Sequence, residues 1–370
     1  MTNEEKLKFI KSSYIYSRAS ELLLDAEAEE MNKKWIAEML PRIPLRLYKY
    51  RTCSENNLAM LRNKTAWFSC PTTWNDPIDV TVSYDKEKDL CLLQEHIDRI
   101  VMKTAFSLIN QYIDSFCEQK KFVTADRVKK VYYNAFEGEK KVNFNRIISN
   151  LTPVVGEKPA RQIAVKTQEA FLTAQQLGFR EKYLSNFERL MTFNDIREEM
   201  LMYSLSESYD NNHQWAVYAD EGKGFCIGYF IRPKSYREAS LIRNLLPIYY
   251  GQKEPLMITR YLDETLTYTM RNETLDELGN QESAKLYASL YIKTPEWIGE
   301  QEWRFSIPKH QAESNAIPFD FYECIYLGEN IEDGWKEKLM RIAKDHGLKI
   351  YQRGLDNTKS KWVYTEIVLQ

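Results

Sequence analysis

Between about residues 86 and 200 the chain carries apolar side chains at helical spacing, and few Gly or Pro residues interrupt them. Leu90, Leu92, Leu93, Ile97, Ile100 and Val101 open a first stripe, and similar stripes run through 106–117, 125–136, 144–151 and 160–179. Apolar positions recurring every three to four residues demand one buried helical face, so this stretch is predicted to be a helical bundle. Sequence of strand character lies on both sides of it. The flanks must therefore build one domain from two separated pieces, with the bundle as an insert whose role is architecture or partner surface before chemistry.

The first 44 residues read as a helical segment: Leu7, Ile10, Tyr14, Leu22, Leu23, Leu24, Ala28, Met31, Trp35, Ile36 and Leu40 recur near helical spacing until Pro41 and Pro44 stop it. Residues 45–51 (LRLYKYR) alternate as a strand, a short helix follows Ser54, and 65–69 is a second strand. The loop Pro71-Thr72-Thr73-Trp74-Asn75-Asp76-Pro77-Ile78-Asp79 fits no periodic template. Strands are expected again at 200–206, 224–231 and 246–250, a short helix or turn at 211–220, and a helical stretch from 255 to about 291. Strands at 302–307 and 323–327, a helix at 332–346 and strands at 349–352 and 362–368 complete the series. The fold class is α+β, with domains at 1–44 (helical), 45–85 with 200–370 (core) and 86–199 (insert).

Composition narrows function only by exclusion. With 51 basic and 53 acidic residues the net charge is −2, so no global field favours nucleic acid or a membrane surface. The six cysteines show no C-x-x-C pair and none of the four histidines pairs with a cysteine at zinc-ligand spacing, so no metal is expected. A charged start and the lack of an 18-residue apolar run lead to the expectation of a cytoplasmic protein with no membrane partner.

The sharpest local pattern is Trp297-Ile298-Gly299-Glu300-Gln301-Glu302-Trp303-Arg304. Read as a strand, it places Glu300, Glu302 and Arg304 on one face and Trp303 and Phe305 on the other. Two neighbouring carboxylates repel, so a cation or a developing positive charge should face them. The alternative is a solvated strand edge with an ion pair. Two further segments set polar beside aromatic residues. One is Arg51 at the end of the first strand; the other is Ser204-Leu205-Ser206-Glu207 with Asn211, Trp215, Tyr218 and Lys223-Gly224.

Together these segments resemble the bacterial family known as domain of unknown function 2971. The resemblance rests on 47–51 (LYKYR), Trp67-Phe68-Ser69, 74–79 (WNDPID), 204–207 (SLSE), Asn211, 215–220 (WAVYAD), 223–227 (KGFCI), Lys293, Trp297, 300–304 (EQEWR) and 325–328 (IYLG). It skips the N-terminal helix and the insert, and Gln214 stands where the family often has Met. The order arginine, Ser-x-Ser, Glu-x-Glu is similar to that of ADP-ribosyltransferases, which implies a sheet pair of that type and NAD as substrate. Under that resemblance Glu302 stabilises the oxocarbenium-like ribose and Glu300 activates the acceptor. Ser204 and Ser206 brace the glutamate or contact ribose, and Arg51 pairs with the diphosphate. Tyr50, Ser69 and Arg304 belong to the cofactor side, with Arg304 also holding Glu300 and Glu302 ionised from the same face, and Trp215 or Tyr218 stacks on nicotinamide.

Plainer readings stand beside each role. Arg51 can be a strand-end surface arginine, Ser204 and Ser206 can face solvent, and Trp215 and Tyr218 can be core. Asp76 and Asp79 can serve a turn, a metal or the site. The resemblance further implies a macromolecular acceptor, protein or nucleic acid, and an antitoxin or chaperone as candidate partner, in a toxin or anti-phage effector. Lys120-Lys121, Arg127, Lys129-Lys130 and Lys140-Lys141 would offer a basic surface to a nucleic-acid acceptor, or simply a solvated helical face. The rival functions are a non-catalytic sensor and an NAD glycohydrolase.

Overall fold

The computed structural model describes residues 1–22, 25–120, 123–136, 142–191, 194–258, 260–261 and 282–369. Leu23, Leu24, Lys121, Lys140, Lys141 and most of the expected helical stretch 255–291 lie outside the described residues. The chain divides into two compact units. One is built on Tyr84–Met191. The other holds Met1–Ser83, residues 194–256 and residues 282–369, so the N-terminal helical segment and residues 194–199 group with the sheet and not apart from it.

In chain order the elements of the larger unit begin with α1 (Asn3–Leu22), α2 (Asp25–Glu38), β1 (Arg46–Arg51), α3 (Glu55–Arg62) and β2 (Thr65–Trp67). The smaller unit then supplies α4 (Lys86–Lys120), α5 (Ala125–Tyr133), α6 (Phe144–Val155), α7 (Glu157–Gln176) and α8 (Phe179–Met191). The larger unit resumes with α9 (Asn194–Glu199), β3 (Met200–Ser206), α10 (Asn212–Tyr218), β4 (Phe225–Phe230), α11 (Tyr236–Ile242), β5 (Leu245–Pro247) and β6 (Tyr249–Tyr250). It ends with α12 (Glu282–Ser289), β7 (Ile292–Lys293), β8 (Glu302–Pro308), β9 (Ala316–Pro318), β10 (Tyr322–Leu327), α13 (Asp333–His346), β11 (Lys349–Asp356) and β12 (Lys361–Glu366).

The helical unit packs by its stripes. Ile109 and Ile113 of α4, Ile147 and Leu151 of α6, and Val128 and Tyr132 of α5 are buried together with a row of alanines on α7 (Ala160, Ala164, Ala170, Ala174). Alanine at helical spacing lets two backbones approach closely, which suits the long α4–α7 contact. Of the basic residues read as a nucleic-acid surface, Lys129 is held by Asp114 at 2.6 Å, while Arg127 and Lys130 are exposed.

Among the described residues of the larger unit, which is α+β, eight strands form one mixed sheet in the order β12-β11-β10-β4-β1-β3-β8-β5, antiparallel except for β10–β11. β8 runs inside it, flanked by β3 and β5. Register sets Trp303, Phe305 and Ile307 against Leu205, Tyr203 and Leu201 on the core face. The same register sets Glu302, Arg304 and Ser306 against Ser206, Ser204 and Met202 on the other face. Phe9 of α1 packs edge-to-face on Trp303 at 5.8 Å, which ties the N-terminal helix to this sheet.

Two expectations are corrected here. Glu300 is not part of the strand: Pro295 opens a 3-10 turn (Pro295–Glu300), Gln301 takes a left-handed φ of 46°, and β8 starts only at Glu302. The charged row is also no solvated edge, because β8 is buried from Glu302 to Ile307.

One close approach fixes the start of β4. A Cβ at Gly224 would lie 2.2 Å from the Arg51 carbonyl oxygen, a backbone atom that cannot swing away. Gly224→Ala is expected to cost about 1–3 kcal/mol through the forced backbone shift, seen as a lower urea midpoint at unchanged m-value. An unchanged midpoint would contradict this approach of β1 to the β4 entry.

Candidate functional site

The site exists because two neighbouring strands part. β1 and β3 share a single ladder pair, Tyr48 with Ser206. Farther along β3, Met202 pairs instead with Ser69, N to O at 2.9 Å in both directions. In the gap the Lys49 Nζ donates to the Ser204 carbonyl at 2.7 Å, where a strand amide would otherwise stand. Side-chain alternation sends Lys49 and Arg51 to the Tyr203 side of the sheet and Ser204, Glu302 and Arg304 to the other. Both sets reach the gap. The result is one cavity of about 330 Å³ lined by these residues together with Ser69, Trp67, Trp74, Asp79, Ser206, Gln214, Tyr218, Lys293 and Glu300.

Its wall holds a buried chain of charges. Arg304, 0% exposed, grips Asp79 with both Nη atoms at 3.0 and 2.9 Å, and its Nε donates to Glu302 Oε1 at 2.9 Å. Its Nη1 also donates to the Leu290 carbonyl, and its plane lies 4.7 Å over the Trp74 ring. Lys293 Nζ lies 2.7 Å from Glu300, 3.5 Å from Glu302 and 3.8 Å from Asp79. The other Glu300 oxygen accepts from the Tyr218 hydroxyl at 2.6 Å. Ser206 Oγ and Gln214 Nε2 both donate to the Glu300 carbonyl at 2.9 Å, which anchors the 3-10 turn to β3 and α10. The Glu302 amide donates to the Tyr250 hydroxyl at 2.7 Å.

Burial by itself would push the Glu302 carboxyl up; the attraction of Arg304, then of Lys293, overrides it and holds the group at about 2. Burial likewise opposes charge on Lys293, yet Glu302, Glu300 and Asp79 keep its pKa above the ordinary lysine value. Burial raises the Tyr218 hydroxyl and its bond to Glu300 raises it further, so it remains a donor. Because the folded Glu302 pKa lies below its unfolded value near 4.5, this stabilisation is complete above about pH 4.5 and is lost as pH falls towards 2. Unfolding free energy measured between pH 6 and pH 3 is expected to fall by on the order of 2–3 kcal/mol from this group. Glu302→Gln is expected to show a visibly shallower slope, and equal slopes would refute the assignment.

The residues expected from sequence fare differently. Arg51, Ser69, Ser204, Ser206, Glu300, Glu302, Tyr50, Tyr218 and Arg304 all line the one cavity. Trp215 does not: it is fully buried, edge-to-face with Tyr50 at 5.3 Å and under Arg353 at 5.0 Å, so it is core and no stacking platform. Arg304 directs its donors to Asp79, Glu302 and the Leu290 carbonyl, so of its two expected roles the structure shows the one that keeps Glu302 ionised. Both Glu300 oxygens are engaged by Lys293 and Tyr218, a poor arrangement for a base that activates an acceptor. Tyr50 turns its hydroxyl to the Ser208 carbonyl, and Ser69 Oγ accepts from Trp74 Nε1 at 2.8 Å. Sequence reasoning gave Lys49 and Lys293 no role and Asp79 no fixed one. Lys49 carried a signal, a lysine among aromatics two residues before Arg51; the Asp79–Arg304 fork spans 225 residues and carried none.

Among the described residues no group of His, Cys, Asp and Glu is arranged to hold a metal ion, and no helix is long and apolar enough to cross a membrane. No curated protein and no solved structure matches the chain. A family model described as protein of unknown function (DUF2971) matches residues 214–305. That stretch carries the Gln214, Tyr218, Lys293, Glu300, Glu302 and Arg304 side of the cavity. In that part of the chain, which holds the buried charge network apart from Asp79, the protein is similar to the DUF2971 family.

Proposed function

We propose that the cavity is a ribosyl-transfer site that takes NAD and passes ADP-ribose to a macromolecular acceptor. The observation that carries this reading is that Arg51, Ser204 and Glu302, distant in sequence, line one cavity in which the Glu302 carboxylate is held ionised. In this reaction the bond from ribose C1′ to the nicotinamide nitrogen breaks, and its electron pair leaves with nicotinamide. Positive charge develops on the ribose and an acceptor nucleophile then closes on C1′ with loss of its proton. A preorganised anion beside that centre is stronger in the transition state than in the ground state. Arg304 and Asp79 supply the preorganisation. A volume of about 330 Å³ is at the low end for small-molecule sites, so it suits one glycosyl unit, with the rest of the dinucleotide towards the exposed Trp67 and Asn75. Such an activity would suit a toxin or anti-phage effector.

One observation favours a second reading, a binding pocket without turnover: the Glu300 and Glu302 side chains are 8% and 4% exposed and already partnered. Incubation with labelled NAD and cell lysate separates the readings. Label on protein or nucleic acid that disappears in Glu302→Gln supports transfer. Free ADP-ribose alone would mean hydrolysis, and intact NAD would sink both enzymatic readings in favour of the pocket.

A further inference from the structure

We infer that Lys49 and Arg51 form a two-cation subsite for a phosphoryl anion, set in the gap between β1 and β3. On the wall, Asp79, Glu300 and Glu302 each have Arg304 or Lys293 within 4.0 Å, three carboxylates to two cations. Among the described residues Lys49 and Arg51 have no carboxylate at that distance. They sit two residues apart on one side of β1, with Nζ 5.1 Å and the guanidinium 5.5 Å from the same Tyr203 ring, so neither can turn far from the other. With Lys49 and Arg51 counted, the cavity lining carries four cations to three carboxylates, so one positive charge is left over for an anion. The effect shows on Lys49, whose pKa burial and then Arg51 lower to about 7 against the weaker pull of Glu302 and Glu300. An anion between the two cations would relieve both causes.

The donor set favours a phosphoryl group. Arg51 brings a planar fork, Lys49 a point charge, and Ser69 a hydroxyl whose oxygen already accepts from Trp74, leaving its proton to donate. Lys49 adds to the single arginine that the family resemblance implies, and it lies outside the stretch that matches the family model. Only the position of the subsite opposite Glu302 rests on the ribosyl-transfer reading; anion binding itself does not.

The test uses the full chain and pyrophosphate as probe, with sodium chloride matching ionic strength throughout. Limited acetylation near pH 7.5, read by mass spectrometry on the Lys49 peptide, is expected to slow at least fivefold when pyrophosphate is present. The thermal midpoint should rise by several degrees. Lys49→Met and Arg51→Met should each abolish the midpoint shift, and Lys49→Arg should restore most of it. Unchanged acetylation of wild-type Lys49 at saturating pyrophosphate would overturn the subsite without any variant having to fold. Protection without NAD turnover would uphold the subsite while the enzymatic reading falls. NAD turnover in Lys49→Met at unchanged KM would do the reverse.

Discussion

Arg304→Met is expected to destabilise the protein by about 3–5 kcal/mol, the cost of stripping the partner from buried charge. The arithmetic of the site explains the size. Three buried carboxylates, Asp79, Glu300 and Glu302, face two buried cations, Lys293 and Arg304. Methionine matches much of the arginine stem but supplies none of the donors to Asp79, Glu302 and the Leu290 carbonyl. Lys293 alone would then face three carboxylates, and at least one would take up a proton near neutral pH. Arg304→Lys keeps a charge but cannot make the fork to both Asp79 oxygens, so an intermediate loss is expected. Urea denaturation of the three proteins measures this. A methionine variant within about 1 kcal/mol of wild type would mean that the network is solvated, in conflict with its burial.

Under the proposed ribosyl transfer, Glu302→Gln is expected to lower NAD cleavage by about 100- to 1,000-fold, or roughly 3–4 kcal/mol of transition-state stabilisation. Glutamine has the shape of glutamate and can still accept from Arg304 Nε, so position is preserved while the charge is removed. The loss should fall on kcat, because the charge it opposes develops only during bond cleavage. Glu300→Gln should cost less in rate and more in folding, since Glu300 ties Lys293 and Tyr218 to the turn before β8. Steady-state kinetics beside unfolding curves separates the two. A Glu302→Gln enzyme with more than about a tenth of wild-type kcat would place the developing charge elsewhere.

Much of the larger unit was readable because it depends on short-range periodicity. The alternation in 302–307 separated Trp303 and Phe305 from Glu302 and Arg304, and β8 keeps that separation. Glu300 was misplaced because its conformation depends on a turn: Pro295 starts it, the left-handed Gln301 ends it, and bonds from Ser206 and Gln214 pin it. Trp215 looked as suitable for stacking as Tyr218, since both lie on one short helix. Only packing against Tyr50 and Arg353 showed that one is core and the other faces the cavity.

The sequence by itself determined the class of fold, most strand and helix positions, and many of the polar residues that line the cavity. These follow from local spacing and side-chain chemistry, which act over a few residues. Which carboxylate meets which cation was decided by tertiary structure alone. So was the gap, which opens because β1 leaves β3 after one ladder pair and Ser69 takes its place beside Met202. Charge pairing in a buried wall depends on distances of 3–4 Å between residues as far apart in the chain as Asp79 and Arg304, and no local pattern encodes such a distance.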